Sequence, residues 1–369
     1  MKLSKKGRKY LKYKYWFAKL KGISSMKKIK IIEEYITAEA VYYIEETQLK
    51  NLMYLNKKDI ACIINGRKEC HVKEEYEKFT EMGIKLITYD MEEYPERLKN
   101  ISSPPYAVYL KGNMPDADKK SIAIVGARKC TAYGEKYAEE YGRFLGENDI
   151  PLISGLAKGI DSFGQRGCVS AGGRTFAILG SGPDICYPKE NLGLYKDILE
   201  SGGGIISEYH PGIQPVANHF PARNRIISGL ADAVIVMEAK IRSGSLITAD
   251  MALEQGKDVY ALPGPVNSLL SEGCNRLIYQ GAGILLGKKQ LIDELGILAT
   301  KFDVKTVKNK KQLEKEEKLL YSRLTLYPKD IGSLIEETGI KADVALRSLI
   351  SLQMKGIVKE VSRNYYVRI

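Results

Sequence analysis

The chain has 369 residues, 44% of them hydrophobic and 28% charged, with a formal net charge of +12. That length suits two or three domains of ~100–200 residues, and the apolar content excludes a disordered chain. No apolar run approaches the ~18 residues of a membrane span, and the N-terminus lacks the apolar segment of a secretory signal, so a soluble, cytoplasmic protein without a membrane partner is expected.

The charge is unevenly spread. Residues 1–30 hold twelve of the 57 Lys and Arg and none of the 45 acids, which leaves the other residues formally neutral. In this arm, "MKLSKKGRKYLKYKYWFAKLKG", the lysines alternate with Tyr10, Tyr13, Tyr15, Trp16 and Phe17. Two readings stay open: cations and flat rings for nucleic acid, or an amphipathic helix whose rings enter a small core. The cysteines at 62, 70, 130, 168, 186 and 274 form no CxxC pair and no Cys/His metal spacing. Neither a disulfide framework nor a metal site is expected.

Residues 1–85 read as a domain of short helices with a charged surface, among them "SMKKIKIIEEYI" and "VKEEYEKFTEMG". Residues 86–120 read as a lead-in to the next domain, with one isolated strand near 85–89 and a helix-blocking Pro104-Pro105 pair. From 121 to 299 the pattern is strand, glycine turn, helix, repeated. The strands lie in "SIAIVGAR", "IPLISGLAKGID", "TFAILGSGPD", "GIISEYHPG", "AVIVMEAK" and "DVYALPGP", with room for a seventh in "YQGAGILL". Continuous apolar strands alternating with helices predict an α/β, Rossmann-like, doubly wound and mostly parallel sheet, its ligand at the carboxyl ends of the strands. Residues 300–312 read as a polar linker. Residues 313–369, three helices and two short strands with Gly339 in the helix-to-helix turn, predict a winged helix.

The turns carry the chemistry. No GxGxxG follows the first strand, no GxxxxGK[ST] occurs, and no nucleophile and base can be paired, so neither an enzyme nor a cofactor is expected. Instead the turns offer Gly126, Arg128 and Lys129; Ser154, Gly155 and Lys158; Lys189 and Asn191; and Arg242, Ser243, Gly244 and Ser245. Arg223, Asn224 and Arg225 fall in "FPARNRIISGL", read as an extended loop running into a helix, with both arginines pointing to one side. Bare glycine backbone, hydroxyls and helix N-termini favour anions. Five such turns, with strands ~4.8 Å apart, span roughly 20 Å. That is room for several phosphates of a single nucleic-acid strand. Asp161 reads as a brace of its turn, and His210 and His219 as packed or hydrogen-bonded residues.

With "VGARKCTAYG", "SGLAKGIDSFGQRG", "ILGSGPDICYPKEN", "FPARNRIISGL", "SGSLITADMALEQGKDVYALPG" and "EGCNRLIYQGA" in this order, the chain resembles the DNA-processing protein A (DprA/Smf) family. The resemblance implies a non-enzymatic binder of single-stranded DNA that protects incoming strands and loads the RecA recombinase on them in natural transformation, usually as a homodimer. It puts the family's DNA-contacting arginine on Arg128, its RNR motif on Arg223, Asn224 and Arg225, and the lysine of its YPKEN motif on Lys189. Here "GAR" stands in place of the commoner GSR, with one hydroxyl donor fewer. Two rival readings remain. One is a lysine-decarboxylase-like enzyme on a nucleoside phosphate, using Asp161 or Glu208; "KIRSGSLIT" lacks the PGGxGT segment such enzymes need. The other makes the winged helix a duplex reader, although "KADVALRSLISLQMKG" offers few long polar side chains.

Overall fold

The computed structural model describes residues 5–69, 71–297 and 313–368, excepting the side chains of 5–9 and 69. Cys70 and the expected linker at 300–312 lie outside the described residues.

Apolar runs of four or five residues form the centre of the molecule because they can be buried on both faces of a sheet. The strands are β1 (Lys85–Thr88), β2 (Ala107–Gly112), β3 (Ile122–Val125), β4 (Leu152–Ser154), β5 (Thr175–Leu179), β6 (Gly204–Ser207), β7 (Ala233–Val236), β8 (Asp258–Ala261) and β9 (Gly283–Ile284). They lie in the order β1-β2-β6-β5-β4-β3-β7-β8-β9. Neighbours from β6 through to β9 are parallel, for example Ile122 beside Leu152 on one flank and beside Ala233 on the other. Alternation along each strand divides the core. Ala123 and Val125 pack on one face with Ile226, Ile227 and Leu230, while Ile122 and Ile124 pack on the other with Ala138, Phe144 and Leu145. The sheet grows outward from β3 in one direction through β4, β5 and β6, then in the other through β7, β8 and β9. A crevice therefore opens at the carboxyl ends where the two halves diverge.

The lead-in differs from its expectation. Its strand is not isolated: β1 pairs with β2, and β2 with β6, both antiparallel. The helices at the N-terminus pack onto this added edge. Tyr13, Tyr15, Trp16 and Phe17 are buried with Leu86, Tyr106, Ala107 and Tyr109 in one cluster. The two readings of the basic arm are thereby separated, since four of its five rings are core and only Tyr10, 43% exposed, reaches solvent.

At the C-terminal end come a helix (Lys315–Arg323), strand β10 (Lys329–Asp330), two helices (Ile331–Thr338 and Ala342–Met354) and the strands β11 (Val358–Ser362) and β12 (Tyr365–Arg368). Gly339 takes the left-handed conformation between the two helices, and Asp330 caps the first through the backbone N–H of Ser333. β10-β12-β11 form an antiparallel sheet around Leu334, Leu349, Leu352 and Tyr366. This element order is consistent with the winged helix expected for residues 313–369. No helix among the described residues is long and apolar enough to cross a membrane.

Candidate nucleic-acid interface

Three turns and one helix build the crevice. After β3, Gly126 lies so close to the next helix that an added Cβ would stand 2.6 Å from Cγ1 of Ile160. Arg128 and Lys129 follow, both exposed, with the Arg128 guanidinium 5.5 Å from the centre of the Phe220 ring. After β4, Ser154 donates to Ile124 O (2.6 Å) and the Gly155 N–H donates to Asp161 (3.1 Å). Asp161 is buried, which raises its pKa, while the neighbouring Arg223 guanidinium acts in the opposite sense. After β7, the Ser243 and Ser245 hydroxyls bond each other (2.7 Å) at the start of the helix Gly244–Glu254.

Arg223 ties these parts together. It is 5% exposed and donates through one Nη to Gly155 O (2.9 Å) and to Ile178 O. Burial pulls its pKa down to about 10, opposed by Asp161, and its Nε is buried without a partner among the described residues. Gly155 must lack a side chain here, because a Cβ would meet that Nη at 2.6 Å. Asn224 donates to Gly244 O (3.1 Å) and so joins the same helix to the β7 turn. The result is a cleft of about 570 Å³. Tyr187 and Phe220 line it, with ring centres 5.5 Å apart, and Pro215 and Ala217 of the loop after β6 close another side.

One expectation is corrected. Arg223 and Arg225 do not precede a helix in an extended loop; they are the fifth and seventh residues of the helix His219–Leu230. At about 100° per residue, two positions apart means nearly opposite faces. Arg225 accordingly leaves the cleft. It donates two hydrogen bonds to Glu208 (2.7 and 2.8 Å), one to Ser103 O (2.8 Å) and one to Ala222 O (2.8 Å). The two arginines therefore cannot hold neighbouring phosphates side by side. The helix begins earlier than its apolar run because Pro221 is tolerated in a first turn.

The other candidates divide by environment. Gly126, Arg128, Arg223, Asn224, Ser243, Gly244 and Ser245 line the cleft. Ser154, Gly155 and Asn191 are internal: Asn191 is buried and donates to Leu156 O (2.9 Å). Lys129, Lys158, Lys189 and Arg242 are exposed outside it, with Lys158 paired to Glu190 at 2.7 Å. His210 Nε2 lies 2.5 Å from Tyr15 Oη, and His219 stacks on Tyr209 with ring centres 3.8 Å apart. Tyr187 and Phe220 escaped the reading of the turns, although each stands directly beside a cationic motif.

Fold and cleft define a Rossmann-like protein with a cleft at its switch point, without the fingerprint of a dinucleotide site. Residues 85–296 match the DNA recombination-mediator protein A family, and the chain belongs to that family. It is 41% identical to the DNA processing protein DprA of Streptococcus pneumoniae over 226 residues, covering 61% of this chain and 78% of that one. It is 34% identical to Protein Smf of a Synechocystis strain over 290 residues, covering 77% and 73%. The X-ray structure of DprA from Streptococcus pneumoniae superposes with a TM-score of 0.68 at 33% identity, over 80% of this chain and 99% of that one. DNA processing protein A from Helicobacter pylori, described for its single-stranded DNA binding mode, superposes with a TM-score of 0.52 at 29% identity, over 57% and 95%.

Proposed function

We propose that the protein is a recombination mediator that binds single-stranded DNA across the carboxyl edge of its sheet, without catalysing a reaction. The observation that carries this reading is the pairing of exposed Arg128 with Phe220 at the mouth of a cleft floored by bare glycine backbone and a buried guanidinium. Arg128, Lys129, Lys158, Lys189 and Arg242 supply charge for several phosphates, while Tyr187 and Phe220 supply faces for bases. Asn224, Ser243, Gly244 and Ser245 add neutral donors and close approach. The single-stranded DNA binding described for the Helicobacter pylori relative supports the choice of ligand. Family membership supports RecA as the partner that takes over the strand, and a homodimer as the working form. The two acids a nucleotide-processing enzyme would need are both engaged, Asp161 with the Gly155 N–H and Glu208 with Arg225.

Fluorescence anisotropy with single- and double-stranded oligonucleotides of equal length tests the reading. The single strand is expected to bind tighter. Arg128→Ala is expected to cost about tenfold and to lower the salt slope by about 0.7, the value of one phosphate contact on a single strand. Equal affinity for the duplex, or an unchanged slope, rejects the reading. Release of base or phosphate from a nucleoside monophosphate would favour the enzyme instead.

A further inference from the structure

The cleft leaves the basic arm unexplained, although the arm carries the whole net charge of the chain. Of its cations with described side chains, four are committed to holding the fold. Lys14 pairs with Asp90 (2.8 Å), Lys19 with Glu75 (2.5 Å) and Lys27 with Asp59 (2.5 Å). Lys28 is buried and donates to Ala18 O and Leu20 O, both at 2.8 Å. Lys12, Lys21 and Lys30 have no carboxylate partner among the described residues. Two of these lie against aromatic rings, Lys12 at 4.7 Å from the centre of Tyr13 and Lys30 at 5.8 Å from that of Tyr54.

The rings around Lys12 are arranged as a platform. Tyr43, 67% exposed, is fixed by a hydroxyl contact to Tyr13 (2.9 Å) and by edge contact with Tyr42 (5.1 Å), which itself abuts buried Trp16 (4.9 Å). Tyr10 stands one turn before Tyr13 on the helix Lys5–Lys19 and is also exposed. An exposed ring held from behind, Tyr43, with Lys12 packed on the Tyr13 ring it touches, is the kind of element that stacks a base and neutralises a backbone. Tyr10, two positions before Lys12, lies on nearly the opposite side of the helix. The acids acting on these rings are Glu39, on Tyr13, and Glu34 and Glu33, on Tyr54.

The platform stands close to the cleft. Tyr15 of the same helix contacts His210, and Ser25 of the next donates to Glu208 (3.1 Å), so both helices rest on the loop that contributes Pro215 and Ala217 to the cleft wall. Tyr15 faces away from Tyr13, which puts the platform about one helix diameter, roughly 10 Å, from that loop. An extended strand covers this distance within a few nucleotides.

We propose that the outward face of the N-terminal helices, centred on Lys12 and Tyr43, is a second single-strand contact that receives the DNA where it leaves the cleft. It rests on the single-strand reading of the cleft and extends the bound length beyond the sheet.

Affinity as a function of oligothymidine length tests it, with strands of about 6 and about 30 nucleotides, the first sufficient for the cleft alone. The triple variant Lys12→Gln/Lys21→Gln/Lys30→Gln is expected to bind the long strand about tenfold more weakly, with a salt slope lower by about 2, and to bind the short strand as before. Tyr43→Ala is expected to lose about fivefold on the long strand only. Unchanged short-strand binding also reports an intact fold. Equal losses on both lengths, or none on the long strand, overturn the proposal. Arg128→Ala is expected to weaken both lengths; if it weakens neither, the cleft reading alone fails, and a length-dependent loss in the triple variant still stands.

Discussion

Two regions of this molecule have a claim on DNA, and their surfaces differ in kind. The winged helix has the shape associated with groove reading, yet the outer face of its helix Ala342–Met354 shows Leu346, Ile350 and Met354, 43%, 48% and 86% exposed at four-residue spacing. Arg347 is paired with Asp343 (2.9 Å), and Lys355 just past the helix with buried Glu317 (2.6 Å). A reading helix needs free donors to meet base edges. The crevice at the end of β3 has the opposite character, with an exposed arginine on an aromatic ring, paired hydroxyls at a helix start and a buried guanidinium with one nitrogen unused. Affinity for a polyanion follows where the unsatisfied donors are, not which module has a familiar outline.

The largest effect is expected at Arg223. Replacing it with Met removes the donor that joins Gly155 O to Ile178 O and leaves Asp161 buried beside no cation. Stability to urea is expected to fall by about 3 kcal/mol, in the range for breaking one side of a buried charged network. Loss of DNA binding with full stability would instead make Arg223 a ligand of the strand and not the clamp of its site. Arg225 comes next. Arg225→Gln breaks a two-bond ion pair with Glu208 that is 15% and 19% exposed, at a cost of about 1–2 kcal/mol. It is expected to weaken single-strand binding without altering the salt slope, because Glu208 and not a phosphate is the partner lost. A slope reduced by about 0.7, as expected for Arg128, would return Arg225 to the DNA.

The contrast between these arginines explains what the sequence discloses. β3, β4, β5 and β8 are legible because each is an apolar run ended by glycine or proline, and β6 and β7 because each is an apolar run that stops at a glutamate. β2 is harder to see: its residues 107–110 follow Pro104-Pro105, and its pairing with β6 comes from strands far apart in sequence. In the cleft, residue type marked Arg223 as a candidate, and it does line the cleft, but side-chain direction depends on helix phase. A start misplaced by a few residues turned two opposite faces into one. The burial of Trp16 and Phe17 followed the amphipathic reading, whereas Tyr43 is brought to Tyr13 only by folding and could not be read from the arm.

The smallest effect is expected on the winged helix, and it is the most direct way to break the comparison. Leu346→Asp with Ile350→Asp alters two exposed positions whose helix packs through Ala345, Leu349 and Leu352 on its other side. Stability is expected to shift by no more than about 0.5 kcal/mol. Single-strand affinity is expected to stay within about twofold, since the stripe offers no donor to a phosphate. If the double variant instead bound an oligonucleotide about tenfold more weakly, the two added negative charges would lie in the path of the strand, the apolar stripe would be part of the DNA surface, and the carboxyl edge of the sheet would be only one end of a longer track.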